Sequence, residues 1–218
     1  LSSIKEYQSN NELIKKLIKK QNQISKLKIH HINKIYFLIE DCKKYGTYAF
    51  CGIARCAFIA IEMLNSFVHE EIISEKEKSN FLNSIKTINK QMQVDLNKLN
   101  KSKFVKKYGH LRPDTYEISN TNYREGYKNY FQNINKSNNL NKSIIFKLNS
   151  NQINKINKKL KSNKLGLNAI QLLKFIKNSI ELREYSKFIF SKSIDMVFDN
   201  LKKFGKKYNI ETKDLSYL

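Results

Sequence analysis

A single proline, Pro113, and six glycines punctuate 218 residues. Sandwiches and barrels need turn signals about every ten residues, and those signals are mostly Gly and Pro. A chain so poor in both is left with long helices, and it is long enough to bury roughly 70% of its extended surface without disulfides or metals. The expected fold is all-α, an irregular multi-helix bundle with one functional loop around residues 109–126. Three parts are expected: helices over 1–131, an Asn- and Lys-rich loop over 132–143, and long helices over 144–218 that pack on the first part as one unit.

Apolar spacing places the helices. Leu13, Ile14, Leu17, Ile18, Ile24 and Leu27 line one face between Asn11 and Ile29. Ile32 to Cys42 repeats the pattern and Gly46 is expected to break it. Thr47 to His69 is apolar around most of its circumference, with small residues Ala49, Gly52, Ala54, Ala57 and Ala60, and reads as the central buried helix. Ser74 and Glu77 form a capping box for a helix running on to Leu99. A short helix from Ser102 to Tyr108 ends at Gly109. Ser150 is the expected cap of a helix to about Lys161, and helical spacing then holds from Asn168 to Tyr208.

The net charge of +22 raises nucleic acid or an anionic membrane as partners. Lysine is spread over nearly every segment rather than gathered in a stripe, and recognition signatures are missing, so neither partner is expected. The most apolar run, Ala49 to Leu64, is interrupted by Arg55 and Glu62 and reads as too short for a bilayer. No signal peptide opens the chain, and a cytoplasmic location follows by default. Cys42, Cys51 and Cys56 lack metal-ligand spacing and read as reduced, buried thiols. The start at Leu1 and the stop at Leu218 point to a piece of a longer polypeptide.

No glycine-rich phosphate loop, dinucleotide fingerprint, H-E-x-x-H or G-x-S-x-G elbow occurs, and no metal is expected at His30, His31 or His69. Arg55 stands in the most apolar helix, where a buried cation needs a carboxylate such as Glu62 or a wet cleft. Arg183 and Lys187 stack at i and i+4, a like-charge pair that Glu184 could relieve. The segment from Lys107 to Ile118, KYGHLRPDTYEI, differs from the rest of the chain. Pro113 pushes Arg112 toward extended backbone, and if this continues to His110 both side chains project to one side. That pair suits an anionic group. It equally suits a helix-exit loop whose His and Arg bond backbone carbonyls, and spacing alone leaves both open.

KYGHLRPDTYEI resembles the K-Y-G-H-L-R-P-G-T-Y-D-I segment of the phosphoenolpyruvate-utilising phosphotransferases, which include phosphoenolpyruvate synthase, pyruvate phosphate dikinase and rifampicin phosphotransferase. FCGIARCAFIAIEMLNSFVHEEIIS, ELREYSKFIFSKSIDMVFDNL and the terminal ETKDLSYL agree in the same order. The resemblance implies the helical middle region of a synthase-like enzyme. An ATP-grasp domain and a swivelling phosphohistidine domain of the same polypeptide would be its partners, with ATP and Mg bound there and no cofactor on this part. It implies a small-molecule acceptor site drawing on Arg55, His110, Arg112, Tyr116, Glu117, Arg183 and Lys187, with no catalytic residue in this segment. One position departs: Asp114 stands where the family has glycine. It is expected to alter the turn or neutralise Arg112.

Overall fold

The computed structural model describes residues 2–131 and 146–217, with side chains from residue 7 onward. The expected loop at 132–143 lies outside them. Every regular element among the described residues is helical.

Three long helices make the frame. The first, α1, spans Ser2–Lys26. It buries Asn10, Ile14, Leu17, Gln21 and Ile24, alternately three and four residues apart, as a helix seam requires. A four-residue connection leads to α2 (His31–Asp41), which His30 caps through its ring nitrogen on the Ile32 amide. The chain then passes through a π-helical turn, Cys42–Thr47, directly into α3 (Tyr48–His69). Gly46 therefore does not break the helix. It sits buried in the turn, where an added Cβ would lie 3.0 Å from Leu17 Cδ2 and 3.0 Å from Phe190 Cβ. The wider π turn and the missing side chain together let three helices converge. Gly46→Val should cost about 1–3 kcal/mol through overpacking, read by urea denaturation; a neutral result would show that the junction has slack.

The third long helix, α9 (Ala169–Lys207), is 39 residues, about 58 Å. It runs antiparallel to α2–α3, since Phe50 meets Phe190 while His31 Nδ1 bonds Asn200 Oδ1. Ser179, Ser186, Ser193 and Asn200 fall seven apart on α9 and are all buried. This polar seam fixes register: Gln21 of α1 donates to Ser193 Oγ at 2.8 Å and to the Ile189 carbonyl at 2.9 Å. Only Ser179 Oγ lacks a partner among the described buried side-chain atoms.

Shorter helices close the ends. The Ser74–Glu77 capping box forms and starts α4 (Glu75–Ser84), but the helix expected to reach Leu99 is two. Ile85 is extended, Thr87 caps α5 (Ile88–Lys98), and Lys90 Nζ reaches back to the carbonyls of Leu82, Asn83 and Ile85. One lysine thus satisfies the orphaned end of α4. Next come α6 (Lys101–Tyr108), the five-residue α7 (Tyr127–Phe131) and α8 (Ser150–Ser162). Asn149, not Ser150, caps α8. Ile156 and Leu160 of α8 join Leu64, Phe67, Phe81 and Leu172 in the largest apolar cluster.

Two expectations about α3 are corrected. Joined through the π turn, His31–His69 is a continuous helix of 39 residues with a window apolar enough to cross a bilayer by length and composition, 39% of it buried within the protein. The helix is also not buried all round. Ala49 and Ile53 pack against α1 and α9, and Ala60 and Leu64 against α4, α8 and α9, while Tyr48, Cys51, Arg55, Phe58, Ile59 and Glu62 form an exposed stripe. Of the thiols, Cys56 is buried, Cys42 half-buried and Cys51 exposed.

Candidate functional site

The KYGHLRPDTYEI loop begins where Tyr108 ends α6. Its ring is fully buried and its hydroxyl donates to Asp95 Oδ2 of α5 at 2.8 Å, beside Lys107 Nζ at 2.6 Å and Gln91 Nε2 on Oδ1. Burial and the Asp95 acceptor push Tyr108 up to about 12. Burial opposes the Asp95 charge, yet its three donors hold the carboxyl below the usual carboxylate range. After Gly109 the chain turns and later pairs with itself: the Tyr123 amide donates to the Leu111 carbonyl and the Arg124 amide to that of Gly109.

His110 and Arg112 both point at α9. His110 Nε2 lies 3.0 Å from the Phe188 carbonyl, and its ring packs edge-on against the Phe188 ring. A carbonyl only accepts, so Nε2 carries the proton. Burial pushes His110 down to about 4, with the Phe188 carbonyl opposing and Lys192, Arg124 and Arg112 assisting. The ring is a neutral donor at pH 7.

Arg112 NH2 donates to Asp195 Oδ1 at 2.5 Å, with side chains 2% and 1% exposed. Its NH1 donates to the carbonyls of Glu117 and Asn120, and its plane covers the Phe198 ring. Asp195 also accepts from Asn122 Nδ2 at 2.9 Å and from Arg124 NH2 at 3.1 Å, while Arg124 reaches Asp199. Asn122 Oδ1 in turn accepts the Arg124 and Glu125 amides. Both side chains meet α9 rather than solvent, although His110 lies in the turn after α6 and not in the extended backbone expected before Pro113. His110 and Arg112 are 7% and 6% exposed and turn Nε2, Nη1 and Nη2 to partners inside the protein, backbone carbonyls among them, which is the helix-exit-loop arrangement that spacing had left open.

Asp114 does not neutralise Arg112; Asp195 does. Asp114 is exposed, and its carboxylate accepts the Tyr116 amide. The described non-glycine residues with positive φ are Glu71, Lys164 and Asn209, so the family glycine position here requires no left-handed backbone. Glu117 accepts the Ser119 amide at 2.8 Å, which lowers its carboxyl. Tyr116 stands 67% exposed at the loop tip.

The other candidates lie elsewhere. Arg55 is exposed on α3, so burial imposes no carboxylate on it, and Glu62 accepts from Asn65. Arg183 stacks over the Phe58 ring at 5.9 Å, with Glu184 3.7 Å away. Lys187, one turn on, is exposed. Two concavities, about 300 Å³ beside Tyr7, Lys86, Glu181 and Tyr185 and about 210 Å³ beside Met63, Phe67, Lys159 and Leu165, contain none of these seven residues. Among the described residues no group of three His, Cys, Asp or Glu could hold a metal.

Asp195, Asn122, Arg124 and Asp95 are the residues that sequence reasoning missed. One signal was present: Asp195 interrupts Ile194, Met196, Val197 and Phe198, and a carboxylate in an apolar run needs a partner as much as Arg55 was argued to. Comparison of the chain with protein-family models, curated proteins and solved structures finds no match.

Proposed function

We propose that this chain is a helical acceptor-binding or linker domain of a phosphoenolpyruvate synthase-like phosphotransferase, located in the cytoplasm. The enzyme would move a phosphoryl group from ATP or phosphoenolpyruvate through a phosphohistidine on another domain. One observation carries the reading: stretches resembling that family, far apart in sequence, meet one another in space. KYGHLRPDTYEI docks on the ELREYSKFIFSKSIDMVFDNL helix through His110 to Phe188 and Arg112 to Asp195. That helix meets the FCGIARCAFIAI helix through Phe190 on Phe50 and Arg183 on Phe58.

In this reading His110 and Arg112 are positioning residues that hold the loop, and the exposed Tyr116 and Lys187 are left to meet an acceptor or the phosphohistidine domain. Catalysis rests on positioning and charge neutralisation, with ATP and Mg on the other domains. In the full-length polypeptide, Tyr116→Ala with Lys187→Ala should lower phosphoryl transfer at least about tenfold, about 1.4 kcal/mol in the barrier, with melting unchanged. Unchanged turnover would remove these residues from the site. A gene with neither an ATP-grasp nor a phosphohistidine domain would overturn the proposal.

A second reading, a non-catalytic helical interaction module, is favoured by the burial of Arg112 and its ion pair with Asp195 within the fold.

A further inference from the structure

The exposed stripe of α3 differs from the rest of the surface. The 22 residues Tyr48–His69 contain one arginine, one glutamate and no lysine, in a chain with 41 Lys and Arg in 218. Tyr48 is 70%, Phe58 63% and Ile59 45% exposed on this lysine-free face. Its outward positions, 48, 51, 55, 58, 59, 62, 66 and 69, recur three or four residues apart on either side of the adjacent pair Phe58 and Ile59, and so lie along one face of the helix.

The stripe is also self-complementary. About a point between Phe58 and Ile59, an antiparallel copy sets Phe58 against Ile59, Arg55 against Glu62, Cys51 against Ser66 and Tyr48 against His69. Each pair combines apolar with apolar, cation with anion, two small residues or two rings. Two-fold dimers demand such self-complementarity of a single patch. Arg55 keeps its contacts within the chain, since a guanidinium has five donors. An anionic bilayer would call for several lysines flanking the aromatic residues, and α3 supplies none, Arg183 of α9 over the Phe58 ring being the cation beside them.

We infer that the exposed face of α3 pairs antiparallel with the same face of a second copy of this chain. This inference is independent of the phosphotransferase reading. Each copy carries +22, so long-range repulsion opposes the pairing, and added salt strengthens it by screening.

Light scattering behind a sizing column should give twice the 25.8 kDa of one chain, with the dimer fraction rising with salt. Phe58→Glu, at an exposed position, should yield a folded monomer. Arg55→Glu should weaken the dimer, and Arg55→Glu with Glu62→Arg should restore it. The Ser66→Cys variant should be linked at position 66 to Cys51 of the other copy by a short thiol crosslinker. A monomer at every salt and protein concentration overturns the inference, as does a dimer indifferent to Phe58→Glu or a Ser66→Cys dimer that gives no such link. Cosedimentation of a monomeric chain with phosphatidylserine vesicles would assign the face to a membrane instead, also overturning it.

Discussion

Arg112→Ala is expected to destabilise the protein by about 3–5 kcal/mol, a large part of a domain's stability, because it strands a buried carboxylate. Asp195 would keep Asn122 and the half-exposed Arg124 but lose its closest cation. The carbonyls of Glu117 and Asn120 would lose a donor, and Phe198 its covering guanidinium. Arg124→Ala should cost under about 1 kcal/mol, since its side chain is 48% exposed and water replaces much of what it gives. Replacing both Arg112 and Asp195 by methionine should recover more than half of the single-variant loss, because an apolar pair of similar size leaves no uncompensated charge. Urea denaturation of wild type and these variants checks this ordering. A loss below about 1 kcal/mol for Arg112→Ala would mean that Asp195 is solvated or protonated and that the loop is not held by this pair.

The same residues show how far the sequence could be read. One local device was legible, the Ser74–Glu77 capping box, which depends on residues three apart, whereas the cap of α8 was expected one residue late. The division of α4 from α5 was not legible, because Phe81, Leu82, Ile85, Ile88 and Met92 keep helical spacing straight through the break. What ends α4 is Ile85 turning extended and Lys90 capping the exposed carbonyls, a choice that apolar periodicity does not encode. Gly46 misled in the opposite direction. Its meaning as a point of close approach comes from Leu17 and Phe190, and the latter lies 144 residues away.

The candidate site divides along the same line. Pro113 suggested extended backbone back to His110, but His110 stands in a turn closed by the Leu111 amide on the Tyr108 carbonyl, and both side chains meet α9 by that route instead. What they point at is a long-range matter, and Asp195 lies 83 residues on. Arg55 shows the converse limit. A helix apolar on nearly every side looks buried, yet in a three-helix frame α3 has contacts on two flanks and leaves a third face uncovered.

His110 supplies the second large effect, in its response to pH. The folded protein holds the ring neutral down to about 4, against an ordinary value of 6.5. At pH 7 neither folded nor unfolded chain protonates it, and the contribution of the neutral ring is fully present. As pH falls below 6.5 the unfolded chain takes up a proton that the folded chain refuses, so stability is lost progressively until about pH 4. The full loss is about 3 kcal/mol, at about 1.4 kcal/mol per pH unit. His110→Gln keeps an amide donor toward the Phe188 carbonyl and removes the titration. Wild type and variant denatured in urea at several pH values from about 7 to about 4 share every other residue, so their difference isolates His110. Wild type should lose the larger share as pH falls. A constant difference across the range would mean that the folded ring protonates as readily as a free one, which a neutral donor locked against α9 does not allow. The same lock commits the Nε2 proton of His110 to Phe188, and releasing the ring would undo the contact that holds the loop in place.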